Sequence, residues 1–305
     1  MKATVFITGI TGFVGQNLKC YLKNDFHIKG LSRRALPTGL TYNVFFEKNC
    51  TYDAIIHLAG KAHDLKKTSN HNEYFDVNYE LTKNIYDQFL QSDAQQFIYI
   101  SSVKAATDEV GGILTEEVIP NPVTAYGKSK LMAETYIMAN LPTTKKVYIL
   151  RPCMIHGPGN KGNLNLLYQL VTKRLPWPLG DFKNQRSFLS IENFCFVIKE
   201  LLENKTIPCG VYNVSDDDVL STNDLIRLLS ISFGKKSSIW SIPVSLIRVV
   251  AKLGDILHLP LNSERLQKLT ENYVVSNQKI VKAIGKSLPV SSKDGLMRTF
   301  ESFRK

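Results

Sequence analysis

Residues 5–18 read VFITGITGFVGQNL, and this stretch decides the fold. A β-branched and aromatic run ends at Gly9, and a helical period begins at Phe13. Between them lies the glycine spacing Gly9, Gly12, Gly15. In a strand–loop–helix the first glycine permits the tight turn, the second lets backbone approach a pyrophosphate, and the third lets the helix pack on the strand. The helix N-terminus then offers free amides to the phosphates. Gly9, Thr11, Gly12, Phe13, Val14 and Gly15 are therefore the candidate pyrophosphate-binding residues.

A glycine triplet alone is a weak signal, so the rest of the chain has to agree with it. Strands are expected at 4–9, 26–32, 52–60, 96–102 and 146–152, alternating with helices at 13–24, 74–91 and 125–141. This alternation, with near-continuous apolar strands, predicts an α/β protein with a Rossmann-type doubly wound parallel sheet. After residue 156 the rhythm breaks. A helix near 164–174, a Pro/Trp-rich connection and isolated strands at 210–216 and 272–277 suggest a smaller, mixed C-terminal substrate lobe. The expected division gives 1–156, with returning segments near 190–214 and 272–277, to dinucleotide binding. It gives 157–189 and 215–305 to the substrate. The apolar stretch at 241–261 carries only Arg248, Lys252 and Asp255 as charges. It reads as a buried helix of that lobe in preference to a membrane-surface helix.

Composition narrows the function classes. Five scattered cysteines (20, 50, 153, 195, 209), without CxxC and without histidines at metal spacing, suit a reducing cytoplasm and no metal site. No apolar run approaches the length of a spanning helix, so no membrane insertion is expected. The net charge of +11 fits an anionic ligand, and no basic helix or zinc finger points to nucleic acid.

Two further patterns carry chemistry. Tyr126 and Lys130, in AYGKSK, lie one helical turn apart on one face. A free tyrosine titrates near 10, and a neighbouring ammonium would lower that value and make Tyr126 a usable acid–base group. Such a pair also occurs on helices with no chemistry. Ser101 and Ser102 fall where a strand should end, at the ligand-binding edge of a parallel sheet, although serine also favours ordinary turns there.

Together, TGITGFVG, DAIIHLAG, VNYELT, YISS, YGKSK and LRPCMIHGPG make the chain resemble the extended short-chain dehydrogenase/reductases over its whole length. This family contains nucleotide-sugar epimerases, dehydratases and reductases. The resemblance implies a catalytic set of Ser102, Tyr126 and Lys130. Tyr126 would transfer the proton at the reacting oxygen, Ser102 would polarise the substrate C–O group, and Lys130 would also hold the nicotinamide ribose. Leu58, Ala59 and Gly60 would line the cofactor, with Asn78 behind them and Pro152 also at the cofactor. A homodimer built on helices 74–91 and 125–140 is the family's usual assembly.

Two departures refine the expectation. Family dehydratases follow the catalytic hydroxyl with an Asp–Glu pair, whereas Val103 and Lys104 stand here. The second strand is followed by Ser32, Arg33 and Arg34, without the acid that usually holds an NAD ribose. Arginines would instead meet a 2′-phosphate, so NADP(H) is favoured over NAD(H). The second half, with SSVK, resembles bacterial reductases of UDP-4-keto-6-deoxy-N-acetylhexosamines. That likeness implies a UDP-sugar held by Asn163 and Arg186, with Arg265 as a second phosphate ligand and Lys104 facing the sugar. The expected activity is NADPH-dependent reduction of a C4 ketone for surface polysaccharide synthesis. An NAD-dependent UDP-hexose or UDP-HexNAc 4-epimerase is the nearest alternative. A non-enzymatic dinucleotide sensor is the alternative of another class.

Overall fold

A computed structural model of the chain describes residues 2–37, 39–48, 50–61, 71–160, 164–257 and 261–304. The glycine stretch forms β1 (Thr4–Thr8), the loop, and α1 (Phe13–Leu22). Then come β2 (His27–Ser32), β3 (Gly39–Thr41), α2 (Tyr42–Glu47) and β4 (Ala54–His57). Next are α3 (His71–Phe75), a π-helical turn at Asp76–Glu80, α4 (Leu81–Gln91) and β5 (Gln96–Ile100). The two-residue β6 (Ile113–Leu114), α5 (Ala125–Ala139) and β7 (Lys146–Pro152) complete the first half.

The second half contains β8 (Met154–His156), α6 (Leu164–Thr172), β9 (Arg186–Ser190), α7 (Ile191–Glu203) and β10 (Gly210–Val214). Then follow β11 (Val219–Leu220), α8 (Thr222–Ser232), α9 (Val244–Leu257) and α10 (Ser263–Thr270). The chain continues through β12 (Val274–Val275), α11 (Gln278–Ile284) and α12 (Ser292–Ser302).

Seven strands make one parallel sheet in the order β3-β2-β1-β4-β5-β7-β10. The direction of winding reverses beside β1, which opens a crevice at the carboxyl ends of β1 and β4. Successive side chains of β1 face opposite layers. Val5 and Ile7 join Leu18 and Leu22 of α1 and Phe194 and Val197 of α7, whereas Phe6 joins Tyr86, Phe89 and Ile137 from α4 and α5. Burial on both faces explains why these strands read as apolar runs without alternation.

A smaller mixed sheet pairs β8 with β9 in parallel and β9 with β11 antiparallel, and β12 pairs with β6. A third core, with Leu167, Phe188, Leu229, Leu296 and Phe300, binds the C-terminal lobe. Several elements were not expected from sequence: β3 and α2 in the first half, with β6, and β8 and β9 in the second, with α7 and β11. The first two span only three and six residues, and β8 and β9 lie in the segment where the alternation lapses.

The expected buried helix at 241–261 needs correction. Only Ile247, Ala251 and Gly254 of α9 are buried, whereas Leu246, Val249, Val250, Leu253, Ile256 and Leu257 are exposed. The inward stripe is one residue wide. A Cβ on Gly254 would lie 1.9 Å from the Leu261 carbonyl oxygen, so the helix seats closely on that side only.

Candidate active site at the carboxyl edge of the sheet

The glycine loop has the close approaches its sequence implied. Gly9 adopts φ +65°, and a Cβ there would sit 3.0 Å from the Ala59 amide nitrogen. A Cβ on Gly15 would sit 2.5 Å from the Gly9 carbonyl oxygen, so only glycine lets α1 start this close to β1. Gly12 is the N-cap of α1 and has no side chain to engage the first-turn amides. Those amides, flanked by Thr11, Phe13 and Val14, are free to meet an anion. The cradle fits a dinucleotide pyrophosphate. Ser32 ends β2, its hydroxyl donates to the Arg34 carbonyl, and Arg33 and Arg34 are exposed beyond it. Arg33 also favours the Tyr42 phenolate, against the burial that pushes this hydroxyl up to about 12.

Leu58, Ala59 and Gly60 follow β4, which is paired to β1, so the two loops lie side by side. A continuous hydrogen-bond chain fixes this second loop. The Ala59 N–H donates to Thr8 Oγ1 at 2.9 Å, and Thr8 Oγ1 lies 2.8 Å from His57 Nδ1. His57 Nε2 lies 2.9 Å from Thr82 Oγ1, whose proton goes to the Asn78 carbonyl at 2.8 Å. Complete burial, and secondarily Lys130, pull the His57 pKa down to about 3, so its ring is neutral. Thr82 has already spent its proton, so His57 must carry hydrogen on Nε2 and accept from Thr8 at Nδ1. His57, to which the sequence assigned no chemistry, thus positions the loop; a lone histidine in an apolar run gave no signal of it. His63 lies outside the described residues.

Asn78 sits in the π-helical turn, a device common at functional sites. Its Oδ1 accepts from the Lys61 amide at 2.7 Å, and its Nδ2 donates to Ser129 Oγ at 3.0 Å. It therefore ties the loop after β4 to α5. A Cβ on Gly60 would approach Asn78 Oδ1 and Lys130 Nζ, each at 3.0 Å, so Gly60, Asn78 and Lys130 meet at one point.

Ser102, Tyr126 and Lys130 are also brought together. Ser102 follows β5 and caps a short turn at Val103–Ala105, where Lys104 N donates to its Oγ at 3.2 Å. Thr124 caps α5 through the Gly127 amide, which places Tyr126 in the first turn. Tyr126 and Ser102 share a side-chain hydrogen bond. The Tyr126 ring meets Tyr74 edge-on at 6.3 Å. Lys130 is 4% exposed; its Nζ donates to the Ile100 carbonyl at 2.9 Å and lies over the Tyr99 ring at 4.9 Å.

The titration of this pair differs from the simplest expectation. Burial raises the Tyr126 pKa, against the lowering by the Ser102 hydrogen bond. Burial also pulls Lys130 down to about 8, with Glu134 acting the other way. The expected lowering of Tyr126 by the Lys130 ammonium is not found: desolvation of the phenol dominates, and only the Ser102 hydrogen bond acts against it.

Behind Lys130 lies a buried polar cluster that sequence reading missed. Glu134, one turn further along α5, accepts from Arg151 Nε at 3.0 Å and from its terminal nitrogen at 2.5 Å. It also accepts from the Ser101 hydroxyl. The residues come from β7, α5 and the end of β5, so no local spacing could reveal them. Pro152, beside Arg151, ends β7 on the same sheet edge.

Of the residues expected to face the substrate, Lys104 and Arg186 are electrostatically coupled. Burial lowers the Lys104 pKa, with Glu271 raising it and Arg186 lowering it further. Lys104 Nζ donates to the Asp108 carbonyl at 2.8 Å and lies 4.1 Å from the Tyr273 ring centre. Arg186, first residue of β9, donates to the Lys268 carbonyl at 3.0 Å and pairs with Glu271 at 3.3 Å. Glu271 and Tyr273 are additions that the sequence did not suggest. Arg265 lies in α10, its amide capped by Asn262. Asn163 lies outside the described residues.

Residues 5–215 match the NAD dependent epimerase/dehydratase family. The chain belongs to this family. Within it, the chain is 31% identical to a UDP-glucose 4-epimerase of Vibrio cholerae, over 99% of this chain and 96% of that one. It is 28% identical to the N-acetyl-alpha-D-glucosaminyl-diphospho-ditrans,octacis-undecaprenol 4-epimerase of Escherichia coli O157:H7, over 92% and 86%. Its fold is similar to that of UDP-N-acetylglucosamine 4-epimerase from Bacillus cereus, with a TM-score of 0.79, 20% identity and full coverage of both chains. Similar folds have been solved for UDP-glucuronic acid 4-epimerase from Bacillus cereus in complex with NAD and for RMD from Pseudomonas aeruginosa complexed with NADPH.

Proposed function

We propose that this family member exchanges a hydride with C4 of a UDP-linked hexose or N-acetylhexosamine, and that its net reaction is 4-epimerisation. The observation that carries the reading is the convergence of Ser102, Tyr126 and Lys130 beside Gly60 and the glycine loop. Gly9, Gly12, Gly15 and the Leu58–Gly60 loop would hold the dinucleotide, and Lys130 its nicotinamide ribose. A bound dinucleotide supplies hydride transfer. Tyr126 would take the proton of the C4 hydroxyl as C4 gives up its hydride and becomes a ketone, and would return that proton to the oxygen as hydride re-adds to the opposite face of C4. Ser102, hydrogen-bonded to Tyr126, orients the same oxygen. Lys130, which burial pulls down to about 8, still carries most of its charge near neutral pH, and that cation would sit beside the reacting oxygen. Arg186 and Lys104 would face the diphosphate and sugar. The name of the Escherichia coli relative puts its sugar on a polyprenyl diphosphate, so lipid-carried sugars belong among the substrates to assay.

A second reading, NADPH-dependent reduction of a UDP-4-keto-6-deoxy-N-acetylhexosamine, is favoured by the exposed Arg33 and Arg34 and by the missing acid after β2. The two readings separate cleanly. The purified protein is tested for retained dinucleotide and for interconversion of UDP-sugars without added cofactor. Turnover with bound NAD supports epimerisation. A strong NADPH preference that disappears in the Arg33→Ala/Arg34→Ala variant, with no turnover unless NADPH is added, supports reduction.

A further inference from the structure

α9 carries two apolar stripes where a surface helix needs one. Ile247, Ala251 and Gly254 recur at helical spacing and face the lobe core. Leu246, Val249, Val250, Leu253, Ile256 and Leu257 recur at the same spacing on another side and face outward. Leu246 is 55% and Ile256 74% exposed, whereas a single-stripe helix would present polar groups there. The third side carries Arg248, Lys252 and Asp255. Six contiguous aliphatic side chains form the kind of exposed patch that marks an interaction surface.

We propose that the outward face of α9 rests on the surface of an anionic lipid bilayer. Charge selects this occupant. From residue 235 to 257 the chain carries four cations, Lys235, Lys236, Arg248 and Lys252, against one acid, Asp255. That acid is turned to the start of α10, where it accepts from the Ser263 amide at 2.9 Å and from its hydroxyl at 2.5 Å. The segment leading into α9 also lines, with Arg174, a cavity of about 270 Å³ whose charged groups are Arg174, Lys235 and Lys236. Arg248 and Lys252, on the adjoining side of α9, give the aliphatic stripe a cationic border, the pattern of a helix lying in a headgroup region. Trp240, exposed four residues before α9, adds an amphipathic ring of the kind enriched at such boundaries. A helix of 14 residues spans about 21 Å and can lie on a bilayer but not cross it. A second copy fits less well. A two-fold contact would set Arg248 and Lys252 against a like-charged stripe whose only acid is already engaged.

The test is cosedimentation of the full chain with vesicles of phosphatidylcholine alone or of phosphatidylcholine with phosphatidylglycerol, at low and high salt. The chain is expected to pellet with the anionic vesicles, less so at high salt. The Leu253→Glu/Ile256→Glu variant is expected to partition at least about tenfold more weakly, with an unchanged thermal midpoint and unchanged turnover of soluble UDP-sugar. A wild-type chain that stays in solution with both vesicles overturns the proposal. So does a variant that pellets equally well, or one that loses self-association by sedimentation velocity while the wild type ignores the vesicles.

Discussion

Lys130 and Leu253 each occupy the environment that ordinarily suits the other. Lys130 is 4% exposed, with Glu134, Arg151 and His57 also buried around the carboxyl edge of the sheet. Leu253 stands in solvent on α9 with five other aliphatic residues. The edge is expensive, but Lys130, Glu134, Arg151 and His57 each have named partners there. The α9 face is cheap for the fold and unsatisfied. Burial rules are therefore broken in two different ways, and each breach marks a place where the molecule meets something else.

The largest expected effect breaks the comparison at its catalytic end. Tyr126→Phe should lower kcat by about 10²–10⁴-fold with the thermal midpoint unchanged, measured on whichever UDP-sugar proves to be turned over. A variant with full activity would leave the buried edge without a chemical purpose. Next in size, Glu134→Gln removes the partner of a buried guanidinium. Urea unfolding should report a loss of about 3–5 kcal/mol, because the Arg151 charge is then stranded.

Lys130→Met should act in the opposite sense on stability while abolishing turnover. The Lys130 pKa is lowered on folding from 10.5 to about 8, so between those values the unfolded chain binds more protons than the folded one. Stability of the wild type then rises with pH from about 8 to 10.5, and at pH 7 the charge costs up to about 3 kcal/mol. The Met variant should be the more stable at pH 7 and show no such rise. A less stable variant at pH 7 would mean that the Ile100 carbonyl bond outweighs desolvation. The smallest effect sharpens the α9 end. Leu253→Glu should change stability by less than about 0.5 kcal/mol, whereas Ala251→Glu, two residues away and fully buried, should cost several times more.

The parallel sheet was legible because burial on both faces makes strands into apolar runs, and because glycines report close approaches that spacing alone can register. The Tyr126–Lys130 spacing and a serine at the end of β5 were legible as patterns, the resemblance to the family joined them as a set, and the structure brings them together. The Thr8–His57–Thr82 chain and the Ser101–Glu134–Arg151 cluster were not legible, since each joins elements far apart in sequence through single polar residues. The fate of α9 was misread for a different reason. Periodicity shows that an apolar stripe exists, but which stripe turns inward depends on a neighbour such as Leu261, and on Gly254 allowing it to approach.

The last strand of the main sheet has a consequence for how the protein is made. β10 arrives about 60 residues after β7, the strand it pairs with. At a synthesis rate of about 10 residues per second, β7 waits on the order of 6 s with one row of amides and carbonyls unmatched. Its side chains, apolar through Val147–Leu150 apart from the Tyr148 hydroxyl, make that waiting edge adhesive. A ribosome stalled before Gly210 would thus release a chain that already contains the glycine loop and Tyr126 yet is prone to pair with its neighbours. Translation speed across residues 153–214 then becomes a determinant of soluble yield.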